Sequence, residues 1–203
     1  MKILVTGFEP FAGGDVNPSW MAVSRLPDDI GGHTVIKAQL PVVYFKALDV
    51  LENLIKEHEP DMLLMSGLAG SSDAVRIERV GINLCEAPIP DNDGVLLNGE
   101  PIAENAPCAY FSTFPYEKML KAVKDEGIPV RYSYSAGAYL CNHILYGGLR
   151  LAKESYPFIK SAGFIHVPPV PEQVKDKPHS FSLPIEKTAR AMEIFAEVML
   201  GVK

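Results

Sequence analysis

An α/β fold with a mostly parallel sheet covered by helices on both faces is predicted by three features of the sequence. Strand-like and helix-like segments alternate along the chain, strands such as 61–68 are apolar throughout, and the helix over 45–57 is amphipathic. Apolar runs suit strands buried on both faces, as parallel strands are. Lys2 to Gly7 is the first strand, stopped by glycine, and a loop from Phe8 to Ser19 leads to a short helix from about Trp20. Thr34 to Val42 is the second strand, Phe45 to Glu57 an amphipathic helix, and Asp61 to Leu68 the third strand. Arg76 to Leu84 alternates like a single strand, and Tyr116 to Glu126 is helical. Pro129 to Ser135 is a strand, Ala138 to Lys153 a helix, Ala162 to Val167 a strand, and Ile185 to Leu200 the closing helix.

The 203 residues, 47% hydrophobic, suit one domain spanning 1–203, because single cores stop growing only near about 250–300 residues. Nineteen basic against twenty-five acidic residues give a net charge of -6, which disfavours nucleic acid as a partner. The longest apolar runs, such as Met62 to Met65, fall far short of the ~20 residues that span a bilayer, and the amino terminus has no signal-peptide pattern. A soluble, cytoplasmic protein is expected. Three cysteines without a CxxC pair encode neither a disulfide framework nor a four-thiolate zinc site. No HExxH is present, so no metal is expected, and the Gly13-Gly14 loop lacks the pattern of a phosphate cradle.

In such sheets ligands sit at the carboxyl ends of strands. Cys141 falls in the first turn of the helix after strand 129–135. There, free amides and the macrodipole stabilise a thiolate, the nucleophilic form. The competing reading is a small buried hydrophobe. His143, two residues on, points to a different face of the helix and reads as a polar residue satisfied on the helix flank. His33, His58 and His179 lie in turn-like or charged segments. His166 differs: it ends the apolar run 162–165 at the carboxyl edge of a strand, where an active-site base belongs. Glu78 shares strand parity with Val80, Ile82 and Leu84, which aims it inward. It either orients the base or pairs with Arg76 or Arg79. Glu9 and Asp91 are weaker alternatives, each in a turn.

Several stretches together resemble the pyroglutamyl-peptidase I (pyrrolidone-carboxylate peptidase) family of cysteine peptidases over nearly the whole chain. They are Thr6 to Phe11 with Asn17-Pro18-Ser19, Glu78-Arg79-Val80, Ile89 to Asn92, Ser135-Ala136-Gly137 through Cys141-Asn142, and Gly163 to Pro168. The resemblance implies a three-layer α/β/α enzyme, similar in fold to nucleoside phosphorylases, that removes an amino-terminal pyroglutamyl residue from peptides. It further implies no cofactor, an intracellular location and a homotetramer. Carried onto matching positions, it makes Cys141 the nucleophile, His166 the base and Glu78 its orienting carboxylate. Phe8 and Phe11 match ring-contacting aromatics, Asn17 holds their loop, and Ile89, Tyr139 and Leu140 occupy the remaining pocket positions.

Two positions depart from the family pattern. Pro88 stands where members commonly carry an arginine thought to steady the oxyanion, and Leu68 stands where some have glutamine. Proline brings neither a cation nor an amide proton. Three consequences stay open: slower turnover, replacement by Arg79 or Arg76, or a shifted substrate. The alternatives to a pyroglutamyl peptidase are therefore a related thiol amidase or deacylase, or a binding protein on a retained scaffold.

Overall fold

The computed structural model describes residues 1–177 and 179–203; Pro178, in the turn-like segment before His179, lies outside them. The elements are β1 (Lys2–Phe8), α1 (Pro18–Val23), β2 (Asp29–Ile30), β3 (His33–Leu40), α2 (Lys46–His58), β4 (Met62–Leu68), β5 (Val75–Glu78), β6 (Val80–Ile82), β7 (Cys85–Glu86) and β8 (Asn98–Glu100). They continue with β9 (Ala109–Phe111), α3 (Tyr116–Asp125), β10 (Val130–Ser133), α4 (Leu140–Arg150), β11 (Ser161–Val167) and α5 (Ile185–Leu200).

Seven strands form the main sheet in the order β10-β5-β11-β4-β1-β3-β2. Its centre, β11-β4-β1-β3, is parallel; β5 meets β11 antiparallel, β10 runs parallel to β5, and β2 is antiparallel to β3. Period-two alternation divides the core between the two faces. Ile3, Val5, Leu64, Ile165 and Val167 pack with α1, α3 and α5. Leu4, Phe8, Leu63, Met65 and Phe164 pack with α2 and α4. The mostly parallel sheet with helices on both faces is thus as the sequence predicts.

Local chemistry sets the element ends. Asn17 caps α1, its Oδ1 accepting from the Ser19 amide at 3.1 Å, and Pro18 opens the helix where its missing N–H costs nothing. Gly201 at φ 75° closes α5 in the left-handed conformation. β3 stops before Pro41.

The run expected as one strand over 76–84 is two. β5 lies in the main sheet, whereas β6 leaves it to pair antiparallel with β9. The break at Arg79 lets β6 cross against α4. A Cβ on Gly81 would lie 2.8 Å from the Tyr146 backbone nitrogen, so only glycine permits that approach. Asn142 of α4 fastens the crossing, accepting from the Ile82 amide at 2.9 Å and donating to the Ile82 and Leu84 carbonyls. The helix expected over 138–153 is also shorter: α4 ends at Arg150 and a π-helical turn spans Leu151–Ser155. Among the described residues no helix is long and apolar enough to cross a membrane.

Candidate active site

Three carboxyl strand ends and one helix start converge at a single edge of the sheet. β1 delivers Phe8, β4 delivers Gly67 and Leu68, β11 delivers His166, and α4 begins one residue before Cys141. Gly67 pairs in register with His166. The space a side chain would occupy at Gly67 is taken by the Cys141 sulfur: a Cβ there would lie 2.7 Å from Sγ and 2.9 Å from Cζ of Phe164. The sulfur is thereby set beside the imidazole, as the sequence-derived pairing requires.

The His166 ring packs edge-on to Phe164, with centroids 5.0 Å apart. Its Nδ1 lies 2.8 Å from Oε1 of Glu78, which is fully buried. A carboxylate can only accept, so Nδ1 carries the proton and Nε2 is the nitrogen left for Cys141. Burial disfavours the charged imidazolium, but the neighbouring Cys141, and Glu78 after it, more than offset that and raise the His166 pKa to about 9. Glu78 forms no ion pair with Arg76 or Arg79, so of its two sequence readings the contact with the imidazole is the one found. Its Oε2 is buried without a partner among the described residues.

Beside the sulfur lies a cavity of about 40 Å³ lined by Phe8, Phe11, Asn17, Val42, Leu68, Tyr139, Leu140 and Cys141. It contains five of the six expected pocket residues. Ile89 is the exception: it is 39% exposed and lies outside the lining, because the segment that carries it turns outward after β7. Val42 is the lining residue that sequence reasoning missed. It lies two residues beyond the end of β3, after Pro41, at the carboxyl edge, and the strand-end rule applied there would have found it.

Glu9 and Asp91 do not approach the imidazole and hold loops instead. Glu9 Oε1 accepts from the Val42 amide and from Asn92 Nδ2, both at 2.9 Å. Asp91 accepts from the amides of Tyr44, Asp93 and Val95 at 2.9, 3.0 and 2.8 Å. Asn17 donates to the Glu9 carbonyl at 3.0 Å, fixing the loop that carries Phe8 and Phe11. Tyr139 stacks obliquely on Phe11 and donates its hydroxyl to the Pro90 carbonyl at 3.0 Å.

At the start of α4 no side chain caps the helix, so the amides of its first residues stay available to an anion. Pro88 lies in a shallow cleft with Ser135, Gly137 and Ala138, against the loop that leads to Cys141. Arg79 stacks on Tyr116, 3.8 Å from the ring centroid, on the opposite face of the sheet, so it cannot replace a cation near the sulfur. The expectation for His143 also needs correction: it is fully buried with neither ring nitrogen partnered, not satisfied on the helix flank. The other cysteines are elsewhere; Cys85 is buried, which pushes its thiol up to about 12, and Cys108 is exposed. No group of three or more His, Cys, Asp or Glu among the described residues is placed to hold a metal ion.

A thiol beside an imidazole, a carboxylate behind that ring, and uncapped amides at a helix start form an arrangement suited to acyl transfer through a covalent intermediate. Comparison with known proteins points the same way. The family model described as pyroglutamyl peptidase matches residues 1–201. The pyrrolidone-carboxylate peptidase of Thermococcus onnurineus is 44% identical over 200 residues, covering 98% of this chain and 99% of that one. The crystal structure of pyroglutamyl peptidase I from Bacillus amyloliquefaciens superposes with a TM-score of 0.92 at 42% identity, covering 96% of this chain and 92% of that one. A variant of pyrrolidone carboxyl peptidase from Pyrococcus furiosus gives 0.93 at 43% identity, covering 99% of each chain.

Proposed function

The chain belongs to the pyroglutamyl peptidase family of cysteine peptidases, and from that premise we propose that Cys141, His166 and Glu78 carry its chemistry. The enzyme removes amino-terminal pyroglutamate from peptides. One observation carries the assignment of roles: the Cys141 sulfur, the His166 ring and the buried Glu78 carboxylate follow one another across β4, β11 and β5.

In the proposed cycle the pyroglutamyl ring enters the cavity lined by Phe8, Phe11, Val42 and Leu68, whose apolar walls suit a small uncharged lactam. The Cys141 thiolate attacks the carbonyl carbon, and the helix-start amides of α4 hold the resulting oxyanion. Collapse of that intermediate breaks the C–N bond as His166 gives its Nε2 proton to the departing amine, leaving a thioester. Water then attacks the thioester, His166 takes its proton, and pyroglutamate leaves as the thiolate is restored. Throughout, Glu78 keeps the imidazole in the tautomer and orientation both steps need. No step calls on a cation at position 88, because the backbone donors belong to α4.

A chromogenic pyroglutamyl anilide assayed under reducing conditions tests these roles. Wild type should release the chromophore, Cys141→Ser should abolish release, and Pro88→Arg should leave it intact or raise it. Full activity in Cys141→Ser would refute the assignment. From the family resemblance we also infer a homotetramer acting in the cytoplasm. Exposed Ile89, Val95 and Leu96 on the segment between β7 and β8 supply apolar surface for contact between copies. Light scattering at micromolar concentration tests the assembly, and a monomer there would overturn it.

A further inference from the structure

A cation on the far side of His166 has no part in the chemistry described so far. Sheet order sets the components of the site in a line across the strands. The cavity lies at the ends of β3, β1 and β4, the sulfur over Gly67 of β4, the imidazole on β11, then Glu78 and Arg76 on β5, with β10 at the edge. Arg76 and Glu78 are two residues apart on one strand, so both face the side that holds Cys141. Arg76 is the register partner of His166 on one side and of Arg131 on the other.

These two arginines differ in one respect. Arg131 is neutralised by Asp73 at 2.8 Å. Arg76 forms neither an ion pair nor a side-chain hydrogen bond among the described residues, and its Nε is buried without a partner. A cleft of about 300 Å³ opens there, lined by Arg76, Arg131, Tyr132, Ser133, Tyr134 and Ser135, the last two beginning the loop that leads to Cys141. Arg76 is only half-buried and lines this cleft with no counter-charge among the described residues, so an anion seated there would gain charge-assisted hydrogen bonds from its guanidinium.

Substrate direction supplies the anion. With the ring in the cavity and its carbonyl carbon at the sulfur, the departing nitrogen must lie at His166, which protonates it. The rest of the peptide then continues away from the cavity, over β5 toward β10. Neighbouring strands lie about 4.8 Å apart and an extended residue spans about 3.4 Å, so the residue after pyroglutamate already comes within reach of an arginine side chain on β5. The geometry points to Arg76 as the binding residue for the free carboxylate of short pyroglutamyl peptides, with the cleft beside it as the subsite for the departing amino acid. This rests on the pyroglutamyl peptidase reading above, which gives the substrate its direction.

The experiment compares L-pyroglutamyl-L-alanine, its carboxamide and a pyroglutamyl anilide on wild type, Arg76→Gln and Arg76→Lys. Wild type should prefer the free acid to the amide, and Arg76→Gln should lower kcat/KM on the acid about tenfold through KM, with the amide and anilide changed by less than about twofold. Arg76→Lys should recover part of the loss. Equal losses on acid and amide, or no loss on either, would overturn the assignment. If Arg76→Gln does not fold, the wild-type comparison decides: no preference for acid over amide overturns it. Failure of wild type to cleave the anilide would refute the peptidase reading itself, whereas anilide cleavage without acid preference refutes only the role of Arg76.

Discussion

Nδ1 of His166 donates to Oε1 of Glu78 at 2.8 Å across the β11–β5 pair, and neither side chain has appreciable access to solvent. The bond commits the ring to one tautomer, and the burial stops water from substituting for the carboxylate. Glu78→Gln keeps the shape but removes the charge and offers an amide that can present either a donor or an acceptor. Turnover should fall by about 10³–10⁴-fold, as when an orienting carboxylate is neutralised in a comparable triad. Steady-state kinetics beside circular dichroism check this; a folded variant that keeps wild-type kcat would show that the contact is structural only.

The same ring reports on the sulfur. His166 is buried, which alone would lower its pKa, yet Cys141 and Glu78 raise it to about 9. Removing the sulfur in Cys141→Ala should therefore shift His166 downward, readable by NMR titration of the imidazole. A raised folded pKa means that the native state holds a proton the unfolded chain has lost. The resulting stabilisation is complete below the unfolded value of about 6.5 and disappears as pH rises through about 9. Cys141→Ala should flatten that slope, since the proton belongs to the thiol–imidazole pair. An unchanged His166 titration would separate the two groups.

How far the site was legible depended on which residues carried a local pattern. Cys141 and His166 could be ranked because each stands where a helix opens or an apolar strand ends, and both positions follow from chain order alone. Glu78 does point inward, but not by parity with Val80 and Ile82, since those belong to β6 and Ile82 is exposed; what Glu78 meets depended on β5 lying antiparallel beside β11, which no local pattern encodes. Two-residue strands such as β2 and β7 show no period at all. The division of 76–84 into β5 and β6 left a trace that the single-strand reading passed over: the apolar positions shift from odd (Val75, Ile77) to even (Val80, Ile82, Leu84) at the break, where Gly81 under α4 and the Asn142 clamp hold β6 apart.

Gly67 makes a further test. A methyl group placed there would meet the Cys141 sulfur at 2.7 Å and Phe164 at 2.9 Å, so one of them must move. The sulfur lies at the start of a helix and Phe164 is fully buried, so neither moves freely. Gly67→Ala should cost about 1–3 kcal/mol by overpacking, and displacing the nucleophile by about 1 Å should lower turnover by about 10²-fold. Chemical denaturation and the anilide assay measure the two effects separately. Unchanged labelling of Cys141 by iodoacetamide together with unchanged turnover would mean that the sulfur can retreat without consequence.

His143 gives the last prediction, on the acid side. It is fully buried on α4, its ring lies edge-on to Tyr44 and Phe45 at centroid distances of 5.6 and 5.2 Å, and neither nitrogen has a partner among the described residues. Burial lowers its pKa to about 4. For a histidine this sign means that the unfolded chain takes up a proton the native state refuses. Stability should therefore fall as pH drops from about 6.5 toward about 4, by an amount on the order of 3 kcal/mol once the lower value is reached. His143→Phe fills similar space with no group to ionise and no unpaired polar atom. The variant should be at least as stable as wild type at neutral pH and should lose less stability on acidification. Urea midpoints of the two proteins from pH 7 to pH 4 test this; parallel acid losses would place the sensitive group elsewhere.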